Sequence, residues 1–470
     1  MGRKWWTLVV VCVATFMLLL DVTIVNVALP AIQEALHASF SELQWVIDAY
    51  ALGLATFVLT AGSLADLFGR KRLFVIGILV FTASSAACGA STDALTLNIA
   101  RGVQGLGGAI MFATALALLS QEFHGKERGT AFGLWGATVG AAVAIGPLAG
   151  GVLTSWLSWR WIFLVNIPIG IGAVVLAALQ LRESSDPEHS RFDPVGLVTL
   201  VGGLFCLILA LIEGNGRGWS SALILSLLAA AVVLLVAFVL SQARGETTMV
   251  DLSLFRRPAF VGAQTTAFAI SSSLFAMFLF LTLYLQNVLG LSPLQTGLRF
   301  LPLSVVSFFA APLAGRLSAR VPVRALLGGG LGLCALSLWL MSGLTVHSNW
   351  THLLPGFVVG GLASGMVNAP LASTAVSTVQ QERAGMASGI NNTFRQLGIA
   401  TGIAGLGAIF ASRVDPRAYA PHAGLAARAS FVAALNHVLL VGAVIAIVGA
   451  VLAAALVRRQ DFVASGPQAS

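Results

Sequence analysis

The sequence predicts an all-α polytopic membrane protein of fourteen spanning helices, and three observations carry that expectation. Of the 470 residues, 57% are hydrophobic and only 9% charged, whereas a water-facing protein carries about 25% charged side chains. A mean hydropathy of +0.92 agrees. Fourteen apolar runs of roughly 18 or more residues follow one another, each long enough for a ~30 Å hydrocarbon core, and no pattern of ten-residue alternating barrel strands emerges. With the N-terminus inside, 18 of the 26 Lys and Arg fall on inner segments, five on outer loops and three within spans. That bias sets the orientation and returns the C-terminus to the cytoplasm.

Span 1 starts near Trp6 and runs to Leu29, too long for a signal-peptide core of about 7–15 residues, so it reads as an uncleaved first helix. It holds Asp21 and Asn26; span 2, from near Leu43, holds Trp45, Asp48 and Tyr50. An inner turn with Gly62, Asp66, Gly69, Arg70, Lys71 and Arg72 leads into span 3 near Leu73. Span 4, from near Leu95, carries Arg101, Gln104 and Phe112. Span 5, from near Thr130, places Gly136, Gly140 and Ala144 every four residues, then Gly146, Pro147, Gly150 and Gly151. Small residues at that spacing make a smooth stripe on which another helix can approach, and the proline interrupts it. Span 6 begins near Trp161.

Two longer, more polar inner loops, Arg182–Asp193 and Gln242–Pro258, bracket spans 7 and 8, which start near Pro194 and Ser221. Spans 9 to 14 start near Ala259, Gln295, Ala325, Leu353, Gly385 and Phe431. The expected plan is 6 + 2 + 6: a first bundle over 1–182, an inserted pair over 183–258 and a second bundle over 259–470. Transporters are commonly built from such repeats.

The strings GSLADLFGRKR (Gly62 to Arg72), LDVTIVNVALP (Leu20 to Pro30), RGVQGLGG (Arg101 to Gly108), GPLAGG (Gly146 to Gly151) and SWRWIFLVNIP (Ser158 to Pro168) stand in this order on successive spans. Together they resemble the signatures of the major facilitator superfamily, and within it the fourteen-helix drug:H⁺ antiporters. The resemblance implies that Asp66, Arg70 and Arg72, with Gly62 and Gly69, latch the two bundles together on the cytoplasmic side. It also implies that the span-5 motif seals the interface between the halves. The equivalent inner loop of the second half has Gly315, Arg316 and Arg320 but no aspartate, so gating there would rest on arginines.

A carboxylate inside a span is expensive and therefore a functional candidate. Asp21 lies roughly 13 Å below the Pro30 end of span 1; Asp48 and Arg101 lie roughly 8 and 9 Å below the outer starts of their spans. At that shared depth they are candidates for proton or substrate coupling, or for a permanent ion pair that holds helices together. Asp66 and Arg70 are expected at the membrane surface, where burial costs little. In the second bundle Arg299 and Asn391 are cavity candidates, and Arg395, near the midplane, needs acceptors or water and so should face the central cavity. Trp45, Tyr50, Gln104, Phe112 and Asn26 are candidates for the same lining.

Other classes fit poorly. Gly125, Lys126 and Glu127 are the nearest approach to a phosphate-binding loop and lack its leading glycine and hydroxyl residue. His437 stands alone deep in a span, the four cysteines are scattered singly, and neither a metal site nor a catalytic constellation follows. The expected function is proton-coupled export of lipophilic, cationic drugs or antibiotics across a bacterial cytoplasmic membrane, by a monomer with the proton as coupling ion and no other cofactor. Its partners would be a small lipophilic substrate and the lipid bilayer, without nucleic acid. The alternatives are a narrow-substrate metabolite exporter and a non-transporting receptor or scaffold.

Overall fold

The computed structural model describes residues 2–185, 193–245, 248–318, 320–380, 383–415 and 424–457. Among them every regular element is helical. The spanning helices are α1 (Arg3–Leu36), α2 (Phe40–Phe68), α3 (Arg70–Ala90), α4 (Ala94–Glu122), α5 (Gly125–Trp156), α6 (Trp161–Gln180) and α7 (Pro194–Arg217). They continue as α8 (Ala222–Arg244), α9 (Pro258–Val288), α10 (Pro293–Leu317), α11 (Val323–Met341), α12 (Leu354–Ser377), α13 (Ala384–Ala411) and α14 (Leu425–Leu456). Among the described residues, thirteen of these helices are long and apolar enough to cross a membrane, and α5, a 32-residue helix, stands where the remaining expected span lies. Some ends differ: α5 begins at Gly125 and α14 at Leu425, ahead of the expected Thr130 and Phe431, and α1 continues past Pro30 to Leu36, where His37 closes it in the left-handed conformation at φ 50°.

Polar residues at the turns fix where helices begin. At the start of α2 the Ser39 hydroxyl accepts from the Glu42 amide while the Glu42 carboxylate accepts from the Ser39 amide, and Ser292 with Gln295 repeats this at α10. Asp93 and Ser221 cap α4 and α8, and Asp193 caps α7 just ahead of Pro194. Each supplies an acceptor to amides that have no partner inside their own helix.

Within the first six helices α4 packs against α2 and α3, and α1 against α5; among the last six, α12 packs against α10 and α11, and α11 against α14. The two groups meet chiefly through α2 with α13 and α5 with α10, and also through α4 with α13 and α5 with α12. The α7–α8 pair lies against α2 and α13, with Leu204, Ile208 and Phe238 sharing an apolar cluster with Leu52 and Ile390. On its other side α8 exposes Val232, Val233 and Val236, as a lipid-facing helix does. Helix α9 is locally widened into π turns at Ser271–Phe275 and Tyr284–Val288.

Candidate functional site

Three groups of polar side chains stand out. The first is buried between α1, α4 and α6. Asp21, fully buried, receives Arg101 Nη1 on Oδ2 at 2.5 Å and Gln104 Nε2 on Oδ1 at 2.9 Å. Asn166 Nδ2 approaches the same Oδ1 at 3.3 Å and also donates to Ser85 Oγ at 3.1 Å. Arg101 also donates from Nη1 to Gln104 Oε1 (2.8 Å) and from Nε to the Val46 carbonyl (2.9 Å), and its guanidinium lies 4.3 Å above the Tyr50 ring. This is a closed ion pair with every carboxylate oxygen occupied.

Asp48 does not join it. Val46 and Tyr50, four residues apart on α2, face Arg101, and a residue midway between them points about 200° away. Asp48 is accordingly half-buried on the opposite side of α2, where Glu213 of α7 is its acidic neighbour. Glu213 is itself bound by Arg217 at 2.5 Å.

The second group closes the face that carries the basic turns. Asp66 Oδ1 accepts from Arg70 Nε (3.0 Å) and Nη2 (2.9 Å) and from the Gly385 amide (2.9 Å), while Oδ2 accepts from the Met386 amide (2.7 Å). Asp66 thus caps the start of α13 from across the interface, using amides that lack helical partners. The expected surface position is corrected here: Asp66 and Arg70 are each 3% exposed, because α13 covers them. Gly62 allows the approach, since a Cβ there would run into the Gly385 carbonyl oxygen. Gly69 adopts φ 107°, a conformation open to glycine. Arg72 departs from expectation. Its side chain is exposed, and its backbone amide, like that of Lys71, is bound by Glu183.

The second-half loop is closed without its arginines. Arg316 and Arg320 are exposed, and the crossing is made by Gly129 against the Gly315 backbone and by Arg128 Nη2 donating to the Ser373 carbonyl at 3.2 Å. Gly136 continues the stripe of α5 against Ala311 and Ala369. In the span-5 motif Gly146 and Gly150 pack on Thr23 and Ile24 of α1, whereas Gly151 meets Leu294 of α10. The side chains of Pro147, Ala144 and Asn26 lie outside the described residues, as do Arg191, Arg417, Arg458 and Arg459 altogether.

The third group adjoins a narrow cleft between α5 and α9, α10 and α12, which in this state has room for about one water molecule. Its walls include Gly140, Phe275, Phe278, Ser304, Ser364 and Asn368. Arg395, 8% exposed, donates to Asn368 Oδ1 at 2.6 Å. Asn391 Nδ2 donates to Gln264 Oε1 at 3.2 Å, and Asn392 Nδ2 reaches across to the Phe112 carbonyl at 3.3 Å. Several expected lining residues lie elsewhere. Tyr50 and Gln104 belong to the buried ion-pair cluster, Phe112 stacks on Trp135, Trp45 packs in the cluster shared with α7, and Arg299 stacks 4.6 Å from the Trp350 ring. Asn166 stands in the sequence only as part of the Ser158 to Pro168 string, with no site role, and Asn368 is not singled out there, although each is an amide inside an apolar run and so needs partners.

The comparisons agree with this architecture. The family model described as Major Facilitator Superfamily matches residues 11–403. The chain is 37% identical to the tetracenomycin C resistance and export protein of Streptomyces glaucescens, covering 88% of this chain and 77% of that protein. It is 38% identical to the multidrug resistance protein Stp of Mycobacterium tuberculosis (86% and 76% covered) and 38% identical to the puromycin resistance protein pur8 of Streptomyces alboniger (86% and 81% covered). A crystal structure of the human organic anion transporter MFSD10 superposes with a TM-score of 0.70 over 96% of this chain and 100% of that one, at 13% identity, which speaks to the fold alone. The chain belongs to the major facilitator superfamily and is a multi-pass protein of the bacterial cytoplasmic membrane.

Proposed function

We propose that this member of the major facilitator superfamily exports lipophilic drugs or antibiotics by alternating access, in exchange for protons entering the cell. Export is supported by the roles of its relatives, several of which are resistance or export proteins at 37–38% identity. Proton coupling rests on one observation, the fully buried Asp21 held by Arg101 between α1 and α4. An ionised Asp21 draws those helices together. A protonated one leaves Arg101 without a counter-charge in a low-dielectric interior, which favours a different helix arrangement. The proton thereby selects between two packings. Each proton entering contributes about 2.3 kcal/mol per 100 mV of membrane potential.

In the arrangement seen here Asp66 and Gly129 close the basic face, which the distribution of Lys and Arg makes cytoplasmic. Release of a substrate to the outside belongs to this state. A cationic substrate needs a carboxylate with a free oxygen; Asp48, half-buried, supplies the better candidate, since Asp21 is fully engaged. Relatives named for one antibiotic each, tetracenomycin C and puromycin, favour a second reading, a narrow-substrate exporter of one natural product.

The test is accumulation of ethidium and a panel of lipophilic drugs in everted vesicles energised by a proton gradient. Accumulation that an uncoupler abolishes supports the reading, and a broad panel separates multidrug export from the narrow alternative. Indifference to the gradient for every compound would overturn proton-driven export.

A further inference from the structure

Arg395 lies roughly 17 Å along α13 from Ala384, near mid-membrane. A guanidinium carries five N–H donors and keeps its charge. Here Nη2 is bound by Asn368 Oδ1 at 2.6 Å, and the Phe275 ring centroid lies 5.9 Å from Cζ. Both partners are neutral, and among the described residues no carboxylate pairs with Arg395. The contrast with Arg101, which has Asp21 against it, is direct. The two neighbours of Arg395 are both walls of the cavity, and a third wall residue, Ser304, has a buried hydroxyl with no hydrogen-bond partner.

A buried cation without a counter-ion is unfavourable and is tolerated where something else supplies the negative charge. Leu274, Phe275, Phe278 and Leu303 form an apolar and aromatic side, and Ser307 and Ser364 add hydroxyls. The π turn Ser271–Phe275 brings Phe275 to both the cavity and the guanidinium, and such turns frequently mark functional positions.

We propose that Arg395, positioned by Asn368, receives an anionic oxygen of the substrate, a carboxylate, phenolate or enolate attached to a lipophilic aromatic body. The cleft as it stands holds about one water molecule, so the aromatic part would enter along the Phe275–Phe278 side as α5 moves off α10 and α12 in the transport cycle, with Ser304 offering a further polar contact. An anion carried outward also moves down the inside-negative membrane potential. The inference rests on the export reading and names a substrate class for it; a cationic drug would have to be held elsewhere, at Asp48.

The test is calorimetric titration of the purified protein in detergent, without any gradient, using anthracene-9-carboxylate, anthracene-9-carboxamide and 9-(aminomethyl)anthracene. The acid is expected to bind about tenfold or more tightly than the amide, as a charge-assisted contact with arginine implies. Arg395→Gln should erase that preference and leave amide binding within about twofold, and Arg395→Lys, which keeps the charge, should retain part of it. The proposal is overturned if the wild type shows no preference for the acid, if Arg395→Gln keeps it, or if Arg395→Gln loses acid and amide alike. Because binding is read at equilibrium, an intact preference together with absent proton-driven flux would overturn the export reading and leave this site standing.

Discussion

The carboxylate of Asp66 takes the place of a helix cap on a helix 319 residues further along the chain, its Oδ1 accepting the Gly385 amide at 2.9 Å. Arg70 holds the same oxygen from within its own half. One side chain therefore joins a charge pair and a helix start, and both are buried by the meeting of α2 with α13. Rocking the halves apart on this face must uncover Asp66 and free two amides at once.

Asp66→Ala should shift the protein toward the state open on the basic face. Loss of two charge-assisted bonds corresponds to about 2–4 kcal/mol, or at least tenfold in population. A cysteine placed at Ala384, buried here, reports it in a background without Cys12 and Cys206. Faster labelling by a membrane-impermeant thiol reagent is expected in everted vesicles.

Glycine substitutions should separate by what a methyl group would meet. Gly62→Ala and Gly129→Ala drive a Cβ into the carbonyl oxygens of Gly385 and Gly315, so helices must part; overpacking of this kind costs about 1–3 kcal/mol. Gly329→Ala meets nothing within 4 Å and serves as the control. Transport rates and melting temperature should fall for the first two and hold for the third.

Arg101→Gln should be more damaging to stability than its loss of contacts suggests, because Asp21 is left buried and uncompensated at a cost of about 3–5 kcal/mol. Asp21→Asn combined with Arg101→Gln should recover much of that loss. Thermal unfolding of the two singles and the double variant measures the coupling, and additive losses would mean the pair is not coupled.

Gln242 ties the two linkers of the α7–α8 pair. Its Nε2 donates to Asp193 Oδ2 at 2.6 Å while its Oε1 accepts the Met249 and Val250 amides at 2.7 and 3.0 Å. Gln242→Leu leaves these groups without partners, each worth about 1–3 kcal/mol. Limited proteolysis should cut the segment after α8 several-fold faster in the variant.

Much of the fold was legible because a span must be apolar over its whole length, so the fourteen runs announce themselves. Asp21 and Arg101 were legible as a pair because depth along a helix follows from residue counting. Asp48 has that depth too, but helical phase decides its face, and the phase relative to Val46 and Tyr50 sends it toward Glu213. The partners of Asp66 were hidden for another reason: they are backbone amides of Gly385 and Met386, which no side-chain pattern marks. Arg395 was recognisable as a buried cation needing acceptors, yet the role of Asn368 required knowing which wall of α12 meets α13.

The most direct measurement compares wild type with Asp21→Asn for ethidium accumulation in everted vesicles under an imposed proton gradient, with drug binding measured on the same preparations. The expected result is gradient-driven accumulation by the wild type and none by Asp21→Asn, with drug binding by the variant retained. Accumulation by Asp21→Asn equal to that of the wild type, and equally sensitive to an uncoupler, would contradict a coupling role for the Asp21–Arg101 pair.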